Sequence, residues 1–166
     1  MARRFRGEFH QKVDGKGRVS IPALFRRVLE AGDPNWSAGQ LAEFVIVYGD
    51  HRRSFLECYT IDAIEEVDEK IAQMPRGSND RRMLEKLFSG QSTQLGVDDT
   101  GRIVLTKKLR DKIGISDEAF FIASGDTFQI WNPDTYQQED LSRIEEWLDE
   151  KPSDFDVLTL LDTQGG

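Results

Sequence analysis

Two pairs of charged residues at matching spacing are the part of this sequence best suited to chemistry. Asp14 lies four residues before Arg18, and Asp98 lies four residues before Arg102, each across a short stretch that contains glycine. A carboxylate at the start of a turn accepts backbone N–H bonds and can pair with an arginine, which would make each loop a structural clamp. An arginine ordered in this way can also contact phosphate or the edge of guanine. The motif alone leaves both interpretations open.

The two pairs belong to a longer repeat. Residues 13–22 and 97–106 each read as a hydrophobic residue, Asp, two variable residues, Gly, Arg and an alternating hydrophobic run. Asp98 follows Asp14 by 84 positions, and Arg102 follows Arg18 by the same 84. A unit this small cannot bury a good core alone, which predicts that the two copies interlock into one pseudo-twofold body.

The elements around each motif recur in the same order. Alternating hydrophobic residues predict a strand before the loop and a second strand after it, followed by a short helix, a hairpin and a closing amphipathic helix. In the first copy Pro22 begins the short helix, and Thr60 is the expected N-cap of the closing helix, which Pro75 ends. The first copy carries extra residues before its hairpin, centred on Trp36. The sequence therefore predicts an α+β fold that is one domain by packing and two by sequence.

Composition and charge narrow the class of protein. The chain has 166 residues, 38% of them hydrophobic, and no apolar run approaches the ~20 residues of a membrane helix. The basic N-terminus is followed by no apolar segment, so it is not a secretory signal, and we expect a cytoplasmic protein. Its single cysteine, Cys58, excludes an internal disulfide and is expected to be an inert core thiol.

The net charge of −8 is unevenly distributed. Residues 1–27 carry eight basic against two acidic side chains, a balance of +6, whereas residues 134–166 carry two basic against ten acidic ones. The first loop, with Lys16, lies in the basic segment, but the second has Asp99 and Thr100 at the variable positions. The first loop is therefore expected to read DNA, and the second mainly to complete the scaffold. The predicted DNA-binding residues are Arg3, Arg4, Arg6, Lys12, Asp14, Lys16, Arg18 and Arg102, with Asp14 and Asp98 ordering the loops.

The sequence resembles the MraZ family, which consists of two fused AbrB-type units, over nearly its whole length. The resemblance rests on Phe5-Arg6-Gly7, Asp14 to Arg18, Val19 to Pro22, Arg26, Phe88-Ser89-Gly90 and Asp98 to Arg102. It implies two tandem swapped-hairpin units forming one pseudo-twofold β-barrel with flanking helices. It also implies closed homo-oligomeric rings, and binding to short direct repeats upstream of the division and cell-wall gene cluster that includes the regulator's own gene. The loop arginines would read the DNA.

On this resemblance the chain divides into four parts. They are a first AbrB-like repeat with its closing helix at 5–75, a connecting helix at 76–87, a second repeat with its closing helix at 88–150, and an acidic tail at 151–166.

The leading functional interpretation is a sequence-specific transcriptional regulator without enzymatic activity, located in the cytoplasm and associated with the nucleoid. Its expected partners are double-stranded DNA and further copies of itself, with no membrane and no cofactor. His10 and His51 have no neighbours at metal-ligand spacing, and Gly15 and Gly17 lack the rest of a dinucleotide fingerprint. The alternative is an AbrB-type interaction module that neutralises a partner protein. An enzyme would need converging polar groups in a pocket, which the sequence does not offer.

Overall fold

The computed structural model describes residues 3–164, which contain eight strands and several helices. The strands are β1 (Glu8–Lys12), β2 (Arg18–Ser20), β3 (Glu43–Val47), β4 (Phe55–Thr60), β5 (Ser92–Gly96), β6 (Arg102–Val104), β7 (Glu118–Ser124) and β8 (Thr127–Trp131). The α-helices are α1 (Ala23–Ala31), α2 (Ile61–Ala72), α3 (Asn79–Glu85), α4 (Lys107–Ile113), α5 (Pro133–Thr135) and α6 (Ser142–Asp149). Two π-helical segments, Lys86–Gly90 and Tyr136–Leu141, and a 3₁₀ segment, Val157–Gln164, complete them.

The strands form one six-stranded antiparallel sheet in the order β1-β7-β8-β4-β3-β5, and a separate two-stranded ribbon of β2 and β6. In the repeat, β1 to β4 correspond to β5 to β8. The first strand of each copy pairs with the third strand of the other, as β1 with β7 and as β5 with β3. The second strands pair with each other, as do the fourth strands. The topology is therefore unchanged when the two copies are exchanged.

The closed β-barrel expected from the resemblance is not found within residues 3–164. The large sheet ends at β1 on one side and at β5 on the other, and the ribbon pairs only with itself among the assigned ladders. The fold is a mixed α+β arrangement of an open antiparallel sheet with helices. Each strand of the ribbon has only three residues, which is too short to bridge both edges of a six-stranded sheet by continuous pairing.

The main core lies between the sheet, the ribbon and the helices α1 and α4. Phe25, Phe44, Phe121 and Phe128 are fully buried there, and Phe25 packs edge-on against Phe5 with ring centroids 5.2 Å apart. Phe25 and Leu29 anchor α1, one turn apart on its inner face, as the helical spacing predicts. Leu24, next to Phe25 on this nine-residue helix, lies on the adjoining face and is 53% exposed.

A second cluster covers part of the outer face of the sheet. Val45 and Tyr59 on the strands pack with Ile61, Ala63 and Ile64 of α2. Thr60 caps this helix, since its hydroxyl oxygen accepts a hydrogen bond of 3.0 Å from the Ala63 N–H. The predicted N-cap is thus confirmed.

The chain divides into two compact units, Met1–Pro133 and Asp134–Gly166. The first contains both copies of the loop motif and all eight strands. The second is helical, and within it the Lys151 ammonium lies over the rings of Trp147 and Phe155, at 5.1 and 5.7 Å from their centroids. The candidate site lies entirely within the first unit.

Candidate nucleic-acid interface

The first loop, residues 14–18, is closed by hydrogen bonds that converge on Asp14. The Asp14 N–H donates to the Arg18 carbonyl at 3.1 Å, and the Gly17 N–H donates back to the Asp14 carbonyl at 2.9 Å. One carboxylate oxygen, Oδ1, accepts from the backbone N–H groups of Lys16 and Arg18, both at 2.9 Å. The other, Oδ2, accepts from the Arg18 Nε at 2.7 Å. One side chain therefore orders both the backbone of the loop and the direction of its arginine.

The second loop, residues 98–102, repeats the backbone geometry but holds its arginine differently. Asp98 Oδ1 accepts from the backbone N–H groups of Thr100 and Arg102, again both at 2.9 Å. The Thr100 hydroxyl donates to the same oxygen at 2.7 Å and accepts from the Arg102 Nε at 2.9 Å. Arg102 Nε is consequently 3.8 Å from the nearer Asp98 oxygen. Thr100 stands between the two charged groups and links them.

Both carboxylates are favoured in the ionised form. The hydrogen bond from the Arg18 N–H, reinforced by the Arg18 side chain and the Lys16 N–H, lowers the pKa of Asp14 from 3.8 to about 2. The hydrogen bond from the Arg102 N–H is the main reason that the pKa of Asp98 is also lowered. The two carboxylates thus stay charged, and continue to order their loops, throughout the neutral pH range.

Each loop is joined to the opposite copy through its glycine. Gly17 and Gly101 both have a positive φ, +83° and +79°, which L side chains rarely adopt. The Gly17 carbonyl accepts from the Leu105 N–H at 2.8 Å, and the Gly101 carbonyl accepts from the Ile21 N–H at 2.9 Å. Because Leu105 corresponds to Ile21 in the repeat, the two joints are equivalent, and each loop is positioned by the chain of the other copy.

The ribbon brings the two loop arginines onto one surface. Arg18 lies opposite Val104 in the register, and Ser20 lies opposite Arg102, so the two arginines occupy diagonal positions on the same face. Val19 and Ile103 point to the other face, where they are buried in the core. Both arginines are partly exposed and line a single open cleft. Its other lining residues are His10, Gln11, Lys12, Val13, Asp14, Ser20, Asp117 and Glu118.

The basic residues predicted from the N-terminal segment are divided between two places. Lys12 lines the cleft that contains Arg18, and Lys16 lies in the first loop. Arg4, by contrast, approaches Gly125 in the β7–β8 turn, and the neighbouring Phe5 N–H donates to the Gly125 carbonyl. Residues 8–12 of β1 separate this end from the loop by roughly 17 Å of strand.

Arg3 and Arg6, like Arg4, lie away from the first loop, beyond the other end of β1. Arg3 lines a different cleft, which contains acidic residues of α2, and Arg6 precedes Gly7, whose carbonyl accepts from the Ala123 N–H near the end of β7. The structure therefore brings Lys12, Asp14, Lys16, Arg18 and Arg102 together, but it does not bring Arg3, Arg4 or Arg6 to them.

Sequence reasoning missed several residues of this surface. Ser20 lies two positions after Arg18 on a strand, so its place on the same face follows from the period of two, a signal that was present in the sequence. His10 and Glu118 border the cleft as a pair, with His10 Nδ1 3.0 Å from Glu118 Oε1. Their contact depends on the pairing of β1 with β7, which links residues 108 positions apart, and no local pattern could have indicated it.

Neither a metal-ligand cluster nor a membrane-spanning helix is found within residues 3–164. No group of three or more His, Cys, Asp or Glu side chains in this part of the chain could hold a metal ion. No helix in the same range is long and apolar enough to cross a membrane.

Relatives match this chain from end to end. A protein of Ruegeria pomeroyi named "Transcriptional regulator MraZ" is 68% identical over 166 residues, which cover 100% of this chain and 99% of the relative. The chain belongs to the MraZ family. A relative of the same name from Ruegeria sp. (strain TM1040) is 64% identical with the same coverage. One from Cereibacter sphaeroides is 48% identical over 172 aligned residues, which cover 99% of each chain.

The family model agrees with these relatives. The model described as "MraZ protein, putative antitoxin-like" matches residues 87–154, which include the second loop and Arg102. The resemblance to the MraZ family that the paired motifs indicated in the sequence is thereby confirmed.

Proposed function

We propose that this protein is a sequence-specific DNA-binding transcriptional regulator without enzymatic activity. The observation that carries the proposal is the ribbon surface, where Arg18 and Arg102 from the two copies lie on one face and are each held by a hydrogen bond from Nε. An ordered guanidinium loses less entropy when it binds, and its remaining N–H groups can reach phosphate or guanine. The names of the relatives, all transcriptional regulators, support the same conclusion.

A two-stranded ribbon such as that of β2 and β6 is an element that DNA can accommodate. The major groove of B-DNA is about 12 Å wide and admits a two-stranded β-ribbon. In our proposal Arg18 and Arg102 read base edges, while Lys12 and Lys16 neutralise phosphates on either side. Asp14 and Asp98 order the loops and make no direct contact with the bases. Both loops then take part, which gives the second loop a larger role than the expectation that it mainly completes the scaffold.

An assembly that presents several copies of one binding surface is suited to DNA that contains several copies of one binding site. We propose that the chain assembles into a closed homo-oligomeric ring that binds short direct repeats upstream of the division and cell-wall gene cluster, including its own gene. One ribbon neutralises only a few phosphates, so its affinity alone is modest and sensitive to salt. Several ribbons presented in register gain affinity through effective concentration. A regulator of this kind is located in the cytoplasm and associated with the nucleoid.

The finer architecture is also part of this proposal. We take the reciprocal pairing of β1 with β7 and of β5 with β3 to be the AbrB-type exchange of hairpins between two repeats. The repeats run from 5 to 75 and from 88 to 150, joined by the connecting segment 76–87 and followed by the tail 151–166.

The test compares three variants in gel shifts on DNA from the protein's own upstream region. Arg18→Ala and Arg102→Ala should each weaken specific binding by roughly 5- to 150-fold, the range for loss of one bidentate arginine–guanine pair. Arg76→Ala, an exposed arginine in the connector before α3, is the matched control and should bind as the wild type does. Wild-type affinity should also fall steeply with salt. Full binding by both loop variants would refute the assignment of the ribbon as the reading surface.

A second candidate function has one observation in its favour. The matching family model carries the words "antitoxin-like", which fit an AbrB-type module that neutralises a partner protein. Such a protein would copurify with a stoichiometric partner and bind the upstream DNA poorly when alone. A regulator would purify as copies of one chain and bind that DNA unaided.

A further inference from the structure

Two arginines outside the loops occupy equivalent places in the repeat. Arg26 lies on α1 and Arg110 lies on α4, again 84 positions apart. Neither side chain forms a hydrogen bond or an ion pair within residues 3–164. The Nε of Arg110 is fully buried and has no hydrogen-bond partner there. A buried N–H without a partner is uncommon and calls for an explanation.

Both arginines pack under a loop glycine of the opposite copy. A Cβ atom placed on Gly17 of the first loop would lie 3.2 Å from the Nε of Arg110, which belongs to the second copy. A Cβ placed on Gly101 of the second loop would overlap the Nη1 and Cζ atoms of Arg26, which belongs to the first copy. The guanidinium groups therefore fill the space that the missing side chains of the two glycines leave open.

We propose that Arg26 and Arg110 are positioning residues. Each of them fixes the position and orientation of the DNA-binding loop of the opposite copy. Arg110 supports the first loop and hence Arg18, whereas Arg26 supports the second loop and hence Arg102. The inference rests on the proposed function only in that the loops bind DNA. The arrangement of the two arginines under the loops is independent of that function.

The chemistry favours support over direct contact for Arg110. A guanidinium is flat and rigid, so it can pack against a backbone that has no Cβ, whereas the round ammonium of lysine cannot fill the same slot. The Nε is fully buried beside Gly17, so this atom is not available to phosphate. In this proposal Arg110 acts on DNA through the first loop, and its loss should misplace Arg18 while the number of phosphate contacts stays the same.

The test is a set of double-mutant cycles measured as DNA affinities of the full chain. Arg110→Met keeps much of the length of the side chain and removes the guanidinium. It should weaken specific binding at least about fivefold, and should add little further loss when combined with Arg18→Ala, because both act through the first loop. Combined with Arg102→Ala, its effect should multiply. Arg26→Met should show the reverse pattern. Lys107→Met is the matched control, since Lys107 is an exposed residue of α4 that pairs with Asp111 on the same helix.

Two further readouts separate positioning from other roles. The slope of affinity against salt should be unchanged in Arg110→Met, whereas loss of a direct phosphate contact would reduce it by about one ion. Backbone hydrogen exchange should speed up at Lys16 and Gly17 in Arg110→Met, but not at Thr100 and Gly101. Arg110→Lys keeps the charge and should not restore protection of the first loop.

Any of three results for Arg110→Met would overturn the proposal. They are coupling with Arg102→Ala instead of Arg18→Ala, a reduced slope of affinity against salt, and unchanged hydrogen exchange in the first loop. Should the wild-type protein fail to bind DNA at all, the proposed function would fall, but the exchange measurement would still decide whether Arg110 positions the first loop.

Discussion

Replacing Gly17 by alanine is the most direct test of how the first loop is built. Gly17 has a φ of +83°, and a Cβ atom at this position would overlap the carbonyl oxygen of Leu105. That oxygen belongs to the backbone of the opposite copy, which is fixed by the hydrogen bond from the Leu105 N–H to the Gly17 carbonyl at 2.8 Å. No rotation of a side chain can relieve the overlap, so either the loop or the segment between β6 and α4 must move.

The expected loss of stability follows from two contributions. Holding an alanine in the left-handed region costs about 1–2 kcal/mol. Moving the two chains apart weakens the bond between Leu105 and Gly17 in a region where the glycine is buried, which costs about 1–3 kcal/mol more. Gly17→Ala should therefore lower the free energy of unfolding by about 2–5 kcal/mol, a large part of the 5–15 kcal/mol typical of a domain.

Gly15, two residues earlier in the same loop, is the matched control. A Cβ atom there would meet nothing within 4 Å, and Gly15 does not have a positive φ. Gly15→Ala should leave the stability unchanged or raise it by about 0.4–1 kcal/mol, because alanine restricts the unfolded chain. Urea unfolding of the two variants and the wild type supplies the comparison. The reasoning about the joint between the copies is refuted if Gly17→Ala unfolds within about 0.5 kcal/mol of Gly15→Ala.

Three further predictions concern single side chains. The folded-state pKa of Asp14, about 2, is below its ordinary value of 3.8, so its stabilising effect is complete above about pH 4 and is lost as the pH falls towards 2. Asp14→Asn should flatten that part of a urea-midpoint curve against pH. Thr60→Ala removes the buried cap of α2 and should cost about 1–2 kcal/mol in the same assay. Burial raises the pKa of the Cys58 thiol, so it should react with a maleimide only at the rate of unfolding, and fast labelling of the native protein would contradict its place in the core.

The local features of this fold were accessible from the sequence because they depend on neighbours along the chain. The repeated spacing of Asp14 and Arg18 predicted two equivalent loops, and the structure shows the same backbone hydrogen bonds in both. The place of Thr60 before an amphipathic stretch predicts that it caps the helix, and the Thr60–Ala63 bond agrees. Signals of this kind need only a few consecutive residues.

The partners of the strands could not be predicted in the same way. A period of two indicates which face of β1 is buried, but not that β7 lies beside it. The placement of Arg4 at the β7–β8 turn is a consequence of that pairing, and a count of charge along the chain could not indicate it. The shared face of Arg18 and Arg102 likewise depends on the pairing of β2 with β6, which joins segments 84 residues apart.

Fusing two copies in one chain gives this ribbon a property that two identical chains could not have. An exact twofold would restrain both arginines in the same way, but here Asp14 holds Arg18 directly and Thr100 stands between Asp98 and Arg102. The difference extends to the strands before the loops, where the pair of His10 and Glu118 is matched by a hydrogen bond from Gln94 to Glu43 at 2.9 Å. The scaffold keeps its symmetry while the exposed face loses it. If the ribbon reads DNA as we propose, two neighbouring arginines with different restraints suit two different base steps, so an asymmetric DNA sequence should be a better match than a palindrome. In the proposed ring, direct repeats would present that asymmetric sequence in one orientation to every ribbon, whereas inverted repeats would not.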